Sequence, residues 1–292
     1  MSLAHVKLCD VEDFSDAGLL AATADILPER DPARHAERKV WEFAMLALFL
    51  ESERQLDDAT EALGVGAGNE RILYWLANRL GRVVATDVYG QGPFANREAG
   101  HRMLADPDAF APFAYRRDRL EVRWMDARSL DFDDEAFDVV FSLSSIEHFG
   151  APDEIARAAA EIGRVLRPGG VAFIATEFLV RLHPLDCALA DTARRALSLG
   201  RRCPTASPRR RVALGEAFTA GELERRIVAP SGLDLVQPLD TSLSERSWEN
   251  LTVLRGDGSL EPASGSYFPH VLVRVSRSVF TSVSLCLRKP GP

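Results

Sequence analysis

The chain has 292 residues, of which 46% are hydrophobic and 27% charged, and 35 basic against 43 acidic residues give a net charge of −8. This composition is that of an ordinary globular protein and excludes a disordered or fibrous one. The negative balance disfavours general nucleic-acid binding, which needs a basic surface to displace counterions from phosphates. The length suits one α/β core with added segments.

The cysteines and the apolar runs indicate the cellular compartment and whether a metal site or a membrane span is expected. Four dispersed cysteines form no Cys-x-x-Cys pair, so neither a zinc site nor a disulfide framework is predicted, and a reducing cytoplasm fits best. The strongest apolar run, Val40 to Leu50, is interrupted by Glu42 and is too short to span a bilayer. The acidic run over residues 131–135 is interpreted as a solvated turn. We expect a cytoplasmic protein with no membrane insertion and no bound metal.

The first strong element along the chain is a helix. Asp31 is a suitable N-cap and Pro32 a suitable first helical residue, and the apolar residues that follow are dense enough to pack against a larger body. We therefore assign residues 1–58 to an N-terminal helical cap and residues 59–292 to the main domain.

Strands and helices then alternate five times, which is typical of a parallel sheet covered by helices on both faces. The helix after the fourth strand is predicted to stop at Pro168-Gly169-Gly170, and the fifth strand to begin at Val171. After Glu177 the alternation breaks, and we expect a helical or loop insertion over about residues 179–230. Two more strands are predicted, the last of them a possible antiparallel edge strand at "VFTSVSLCLRK".

A glycine turn between the first strand and its helix is the clearest binding motif. Gly64, Gly66 and Gly68 let the backbone approach a ligand closely, and Asp87 ends the second strand, where it can accept hydrogen bonds from ribose hydroxyls. This arrangement serves NAD and S-adenosylmethionine equally well. The dinucleotide pattern G-x-G-x-x-G is incomplete, however, because Asn69 or Arg71 stands at its last position.

The order of the motifs resembles the class I S-adenosylmethionine-dependent methyltransferases. The resemblance covers roughly residues 60 to 177 and is carried by "LGVGAG", "ATDVYG", "MDARSLDFDDEAFDVVFS" and "RVLRPGG". It implies a seven-stranded, mostly parallel Rossmann-like sheet in the order 3-2-1-4-5-7-6 with an antiparallel seventh strand. It also implies S-adenosyl-L-methionine as the cofactor.

The same resemblance implies which residues bind the cofactor. The glycine turn would line it, Asp87 would hold the ribose, and residues after the third and fourth strands would meet the adenine and the methionine moiety. Two departures concern the cofactor's amino group: Gly64 stands where relatives carry an acid, and Glu70 where they often carry glycine. The complete predicted set is Gly64, Val65, Gly66, Ala67, Gly68, Asp87, Val88, Asp126, Ala127, Ser142 and Leu143.

Three side chains near the carboxyl ends of strands are candidates for removing a proton from the acceptor. His148 follows the fourth strand and titrates near neutral pH, although it could instead brace its loop. Glu177 and His183 follow the fifth strand, at the edge where open α/β sheets bind ligands, although each could also be a surface polar group.

The acceptor is less constrained by the sequence. We favour O-methylation of a small molecule or a glycan, because the C-terminal half resembles methyltransferases of bacterial polysaccharide and secondary-metabolite pathways. Seven arginines between Arg194 and Arg211 form either a solvated segment or a docking site for a phosphate-bearing acceptor. An NAD-dependent oxidoreductase and a non-catalytic cofactor-binding module remain as alternatives.

Overall fold

The computed structural model describes residues 3–32, 37–92, 94–183, 186, 216–256, 258–263 and 271–291. Within this part of the chain, ten strands form one mixed sheet in the order β3-β2-β1-β4-β5-β10-β9-β7-β8, with β6 pairing separately with β10. The strands are β1 Glu61–Val65, β2 Arg82–Asp87, β3 Leu120–Trp124, β4 Phe137–Leu143, β5 Leu166–Arg181, β6 Asp234–Leu235, β7 Leu251–Leu254, β8 Leu260–Pro262, β9 Leu272–Val275 and β10 Ser278–Arg288.

The first five strands form the parallel half of the sheet. β1 lies between β2 and β4, and β3 and β5 extend the sheet outward. β4 and the centre of β5 are almost entirely buried, as expected for strands covered on both faces. Because these strands are parallel, their carboxyl ends meet at one edge of the sheet, and the loops that follow them can share one site.

The last strand is antiparallel, as predicted, but it is not an edge strand. β10 pairs with β5 along almost its whole length. Its other side is covered by β9, by β6 and, between them, by the N-terminal segment, where Cys9 N donates to Ser282 O (2.8 Å) and Ser284 N to Lys7 O (3.0 Å). The expected seven strands are thus extended by β7, β8 and β9.

The helices follow the predicted order with different boundaries. They are α1 Ala17–Ile26, α2 Arg38–Ser52, α3 Arg71–Ala77, α4 Arg102–Ala105, α5 Pro152–Val165, α6 Ala220–Leu223, α7 Ala229–Ser231 and α8 Glu245–Glu249. A π-helical turn at Glu224–Val228 joins α6 to α7. Short 3₁₀ turns lie at Val11–Ser15, Pro107–Phe110, Arg117–Arg119 and Ile146–His148.

Two predicted helix boundaries are wrong. The helix expected to start at Asp31 begins at Arg38, because its N-cap Glu37 is extended (φ −138°, ψ 153°). α5 ends at Val165, before the Pro-Gly-Gly stop, because Leu166 is extended and already pairs with Phe137 of β4. β5 accordingly begins earlier than Val171 and runs on to Arg181, into the segment predicted as an insertion.

The insertion can be described only at its ends. From Glu216 onward it forms a bridge beside β5 and then α6, the π-helical turn and α7. The arginine-rich stretch Arg194 to Arg211 lies outside the described residues.

One large core joins the N-terminal segment, α2 and the sheet, and includes Leu8, Trp41 and Phe173. No helix in the described part of the chain is long and apolar enough to cross a membrane.

Candidate active site

The glycine turn follows β1 and is held tightly against the ends of β2 and β4. Ala67 N donates to Thr86 O (2.9 Å), and the Ser145 hydroxyl donates to Gly66 O (2.7 Å). Gly66 has a positive φ of 66°, and a Cβ built there would lie 2.8 Å from Ser145 Cβ and from the Phe149 ring. A side chain at this position is therefore disfavoured by both conformation and space.

Asp87 ends β2 directly beside this turn. Its Oδ2 accepts from Gly68 N (3.0 Å) and its Oδ1 from Val88 N (2.7 Å). Burial raises the pKa of Asp87, and these two backbone donors oppose the rise. An ionised carboxylate has about four acceptor positions, so both oxygens keep the capacity to accept further hydrogen bonds.

Two adjoining cavities lie at the carboxyl ends of the parallel strands. The first measures about 250 Å³ and the second about 210 Å³. Both are lined by Gly66, Asp87, Val88, His148 and Phe149, so they adjoin along these residues, and the two cavities together are called the groove. The first cavity is further lined by Lys39, Ala67, Gly68, Glu70, Gln91, Phe94, Glu98, Ala99, Leu143, Ser144 and Ser145. The second is further lined by Gly92, Met125, Asp126, Ala127, Arg128 and Gly150.

A charged cluster centred on Lys39 lies at the first cavity. Lys39 Nζ is 2.9 Å from Glu70 Oε1, 3.0 Å from Glu42 Oε2 and 3.1 Å from Leu143 O. Burial alone would lower the pKa of Lys39, but Glu42 and Glu70 outweigh it and raise that pKa. Burial raises the pKa of Glu70 to about 7, against the opposing effect of Lys39. The first cavity thus contains one cation and one acid that titrates near neutral pH.

The second cavity has a more exposed polar border. Arg128 binds Asp126 through two nitrogens, with Nη2 2.6 Å from Oδ2 and Nε 2.9 Å from Oδ1. These hydrogen bonds lower the pKa of Asp126. The Asp126 side chain is therefore held as an anion at the second cavity.

The structure brings most of the predicted site residues to this groove. Gly66, Ala67, Gly68, Asp87, Val88, Asp126, Ala127, Leu143 and His148 all line it. Gly64, Val65 and Ser142 are not among the lining residues. A Cβ at Gly64 would lie 2.8 Å from the Phe141 ring, so this glycine permits close packing behind the turn. Ser142 is buried, and its hydroxyl has no hydrogen-bond partner among the described residues.

The three predicted proton acceptors differ in their surroundings. His148 lines both cavities, and its Nδ1 is 3.5 Å from Glu216 Oε1. Glu177 is paired with Arg38 (3.0 Å), and burial raises its pKa despite this pair. His183 lies beyond the end of β5, where its backbone N donates to Ser278 Oγ (2.9 Å), and it is not among the residues lining the groove.

Several lining residues escaped the sequence reasoning. Phe94 and the loop around it cover the first cavity, and Phe149 packs against the glycine turn. Lys39 reaches the site from α2, far away in sequence. Glu70 gave a signal, as a departure from the family pattern. Among the described residues, no group of three or more His, Cys, Asp or Glu could hold a metal ion.

Comparison with known proteins agrees with this geometry. Residues 63–174 match a family model described as "Methyltransferase domain". A curated phosphatidylethanolamine N-methyltransferase of Cereibacter sphaeroides is 38% identical over 80 residues, which are 27% of this chain and 38% of that protein. The chain therefore spans well under half the length of that relative.

Two solved structures are similar to this chain at low identity. A Bacillus halodurans protein assigned as a methyltransferase superposes with a TM-score of 0.50 and 16% identity, over 84% of this chain and 98% of that one. The YcgJ protein of Bacillus subtilis gives a TM-score of 0.49 and 13% identity, over 85% and 98%.

The sheet order, the glycine turn and the groove at the carboxyl ends of the strands define an α/β methyltransferase fold. Over residues 63–174 the chain matches a methyltransferase domain. The cofactor that this family indicates is S-adenosylmethionine.

Proposed function

We propose that this protein transfers the methyl group of S-adenosylmethionine to a small-molecule acceptor. The observation that carries the proposal is the groove of two adjoining cavities over the glycine turn, with Asp87 lining both. In this arrangement Asp87 accepts hydrogen bonds from the ribose hydroxyls. Residues Met125 to Ala127 border the adenine, and the glycine turn with Leu143 borders the methionine moiety.

The residues of the groove fit such a cofactor in shape. The missing side chains at Gly66 and Gly68 bring the backbone to the cavity surface, and both glycines have positive φ. A Cβ at Gly68 would lie 3.0 Å from Glu98 O. A side chain at Gly68 would therefore press on the backbone of the loop that carries Glu98.

The charges of the groove also match those of the cofactor. The amino-acid end of the cofactor is a zwitterion, and in the first cavity the cation Lys39 lies beside the acid Glu70, with Nζ 2.9 Å from Oε1. We infer that Lys39 binds the carboxylate while Glu70 and Leu143 O bind the ammonium. Glu70 would then replace the acid that the family carries at the position of Gly64, and this compensates for the departure found in the sequence.

When bound, S-adenosylmethionine supplies an electrophilic methyl group on a cationic sulfur that leaves as a neutral thioether. The protein has to align the acceptor and accept its proton. His148 is our candidate for the proton acceptor, because it alone of the three candidates is among the residues lining the groove. Glu177 and His183 remain secondary candidates.

For the acceptor we propose O-methylation of a sugar or another small metabolite. N-methylation of an amine is a second candidate, favoured by the carboxyl groups of Glu147, Glu177 and Glu216, which all act on His148 and would attract a cationic acceptor. The relative from Cereibacter sphaeroides is also named as an N-methyltransferase. We place the reaction in the cytoplasm, because the dispersed cysteines suit a reducing compartment. Of these, Cys9 and Cys286 are buried and form no disulfide.

Calorimetric titration with S-adenosylhomocysteine and, separately, with NAD tests the cofactor. We expect micromolar binding of S-adenosylhomocysteine and none of NAD. The reverse result would favour an oxidoreductase, and binding of neither would favour a non-catalytic module.

Isotopically labelled S-adenosylmethionine, incubated with a bacterial metabolite extract, then tests the acceptor. Defined probes separate the two acceptor classes: a mixture of free and nucleotide-linked sugars on one side, ethanolamine and phosphatidylethanolamine vesicles on the other. Label appearing only in amine products would contradict O-methylation but not the methyltransferase activity.

A further inference from the structure

Glu216 is held beside the candidate site by backbone pairing. Two residues further on, Phe218 N donates to Glu177 O (2.8 Å), and Leu179 N donates to Phe218 O (2.7 Å). Ala217 and Phe218 are buried. Glu216 is thus attached to a short extension of the sheet next to β5, and its position follows that of the sheet.

The Glu216 carboxylate meets the imidazole of His148 from one side. Oε1 is 3.5 Å from Nδ1, a long contact of the kind that often tightens only when a catalytic site is loaded. The His148 ring also packs against Phe94, with 4.8 Å between ring centroids, and His148 N donates to Ser145 O (2.9 Å). With Nδ1 directed to Glu216, Nε2 is the ring nitrogen left for an acceptor.

The other acids near His148 have partners of their own. Glu147 is buried and accepts from the Thr176 hydroxyl (2.8 Å), and Glu177 is paired with Arg38. Among the described residues, Glu216 makes no other hydrogen bond or ion pair, and it is the carboxylate within ion-pair distance of the ring.

We propose that Glu216 is a positioning residue that fixes the tautomer and orientation of His148, so that Nε2 accepts the proton of the methyl acceptor. This inference rests on the proposed function, since it assigns Glu216 to the same site. In the step, the acceptor's O–H or N–H bond breaks and an Nε2–H bond forms. The electron pair of the broken bond stays on the acceptor atom, which becomes the nucleophile, and the imidazolium that forms is stabilised by the carboxylate.

The charges around His148 predict how the pair responds to substitution. Burial alone would lower the pKa of His148, but Glu216, Glu147 and Glu177 outweigh it and raise that pKa. Removing the charge of Glu216 while keeping its shape should therefore lower the pKa of His148. It should leave the contributions of Glu147 and Glu177 in place.

Nuclear magnetic resonance of protein with ¹⁵N-labelled histidine rings tests this without an acceptor, with His148→Asn assigning the signal. In Glu216→Gln the pKa of His148 should fall by about 0.5–1 while Nδ1 stays protonated in the neutral form, because the amide oxygen still accepts. In Glu216→Ala the preference for that tautomer should also be lost. Glu224→Gln, an exposed acid that does not act on His148, is the matched control and should change neither property.

A rate measurement completes the test. Label transfer from S-adenosylmethionine into the metabolite extract, followed between pH 6 and 9, should fall about tenfold at its plateau in Glu216→Gln. Its acidic limb should move to lower pH. An unchanged His148 pKa, or an unmoved limb in a variant with normal thermal stability, overturns the proposal. If S-adenosylhomocysteine fails to bind, the proposed function fails, while the histidine titration still decides whether the pair exists.

Discussion

Asp87 joins the glycine turn to the second cavity, and the proposed cofactor placement depends on its carboxylate. Asp87→Ala should weaken S-adenosylhomocysteine binding by roughly 1–3 kcal/mol, because a charge-assisted acceptor for the ribose is lost. Calorimetry measures this change, and thermal unfolding reports how far the turn itself is disturbed. Asp118→Ala, at a side chain that is 80% exposed, is the control and should bind normally. Equal affinity of the Asp87 variant and the unaltered protein would disprove the placement.

Glu70 makes the proposed cofactor binding dependent on pH. Burial raises its pKa to about 7, and only the ionised form attracts an ammonium group. The dissociation constant of S-adenosylhomocysteine should therefore increase as the pH falls below 7, by up to about tenfold per pH unit. In Glu70→Gln the affinity should be lower and this dependence flattened.

Glu147→Gln is the matched control for Glu70, because burial also raises the pKa of Glu147 to about 7 but this residue does not line the groove. Its variant should keep the pH dependence of the unaltered protein. Loss of the dependence in Glu147→Gln, or its persistence in Glu70→Gln, would show that another group titrates with binding.

At the scale of single residues, the sequence predicted those site residues whose positions are determined by local chemistry. Gly66, Gly68 and Asp87 could be predicted to lie together because a turn and a strand end fix their positions within about twenty residues of chain. Lys39 and Phe149 were missed because they reach the cavity from a helix and a loop whose packing is decided by the tertiary structure.

At the scale of elements, the glycine turn couples backbone conformation to the site. Gly66→Ala should lose about 1–2 kcal/mol of unfolding free energy from its positive φ. It should lose roughly 1–3 kcal/mol more because the added methyl group contacts Ser145 and Phe149. Binding of S-adenosylhomocysteine should weaken as well. Urea unfolding and calorimetry measure the two effects.

Gly232 provides the matched control for this turn. It has the same φ of 66°, but a Cβ there would have nothing within 4 Å. Gly232→Ala should therefore show only the conformational loss and keep cofactor affinity. If both variants lose the same stability and bind equally well, close packing at Gly66 does not shape the site.

Element boundaries were less predictable than element types. Asp31-Pro32 has the chemistry of a helix start and Pro168-Gly169-Gly170 that of a helix stop, yet α2 begins at Arg38 and α5 ends at Val165. At both places the extended conformation of one residue, Glu37 or Leu166, sets the boundary. Leu166 is extended because it pairs with β4, and local propensity cannot predict this long-range contact.

At the scale of the whole molecule, the sheet contains more strands than the alternation of strands and helices in the sequence predicted. β7, β8 and β9 have only three or four residues each, too few for a periodic pattern to emerge. The N-terminal segment pairs with β10 from the opposite end of the chain. This pairing, with β6 and β9, covers the edge that β10 would otherwise expose.

Glu42 links three parts of the molecule through one buried carboxylate. It lies on α2 with 1% of its surface exposed, and it accepts from Ser144 Oγ after β4 and from Ser282 Oγ on β10, both at 2.7 Å. Burial alone would raise its pKa, but Lys39 and the two hydroxyls outweigh burial and lower that pKa below its usual value. The ionised form therefore stabilises the fold above the pKa of the unfolded chain. This contribution is lost as the pH falls through the lower pKa of the folded state.

Glu42→Gln should lower the free energy of unfolding at pH 7 by roughly 1–3 kcal/mol, because a neutral amide replaces a paired and hydrogen-bonded carboxylate. Below about pH 4.5 the carboxylate becomes protonated first in the unfolded chain and then, at its lower pKa, in the folded protein, so the difference between the two proteins should shrink. Urea unfolding at pH 7 and at steps below pH 4.5 measures it. Glu51→Gln, at an exposed site on the same helix, should be neutral at every pH. A loss that is equal at pH 7 and in acid would mean that Glu42 joins α2 to the sheet through shape and not through charge.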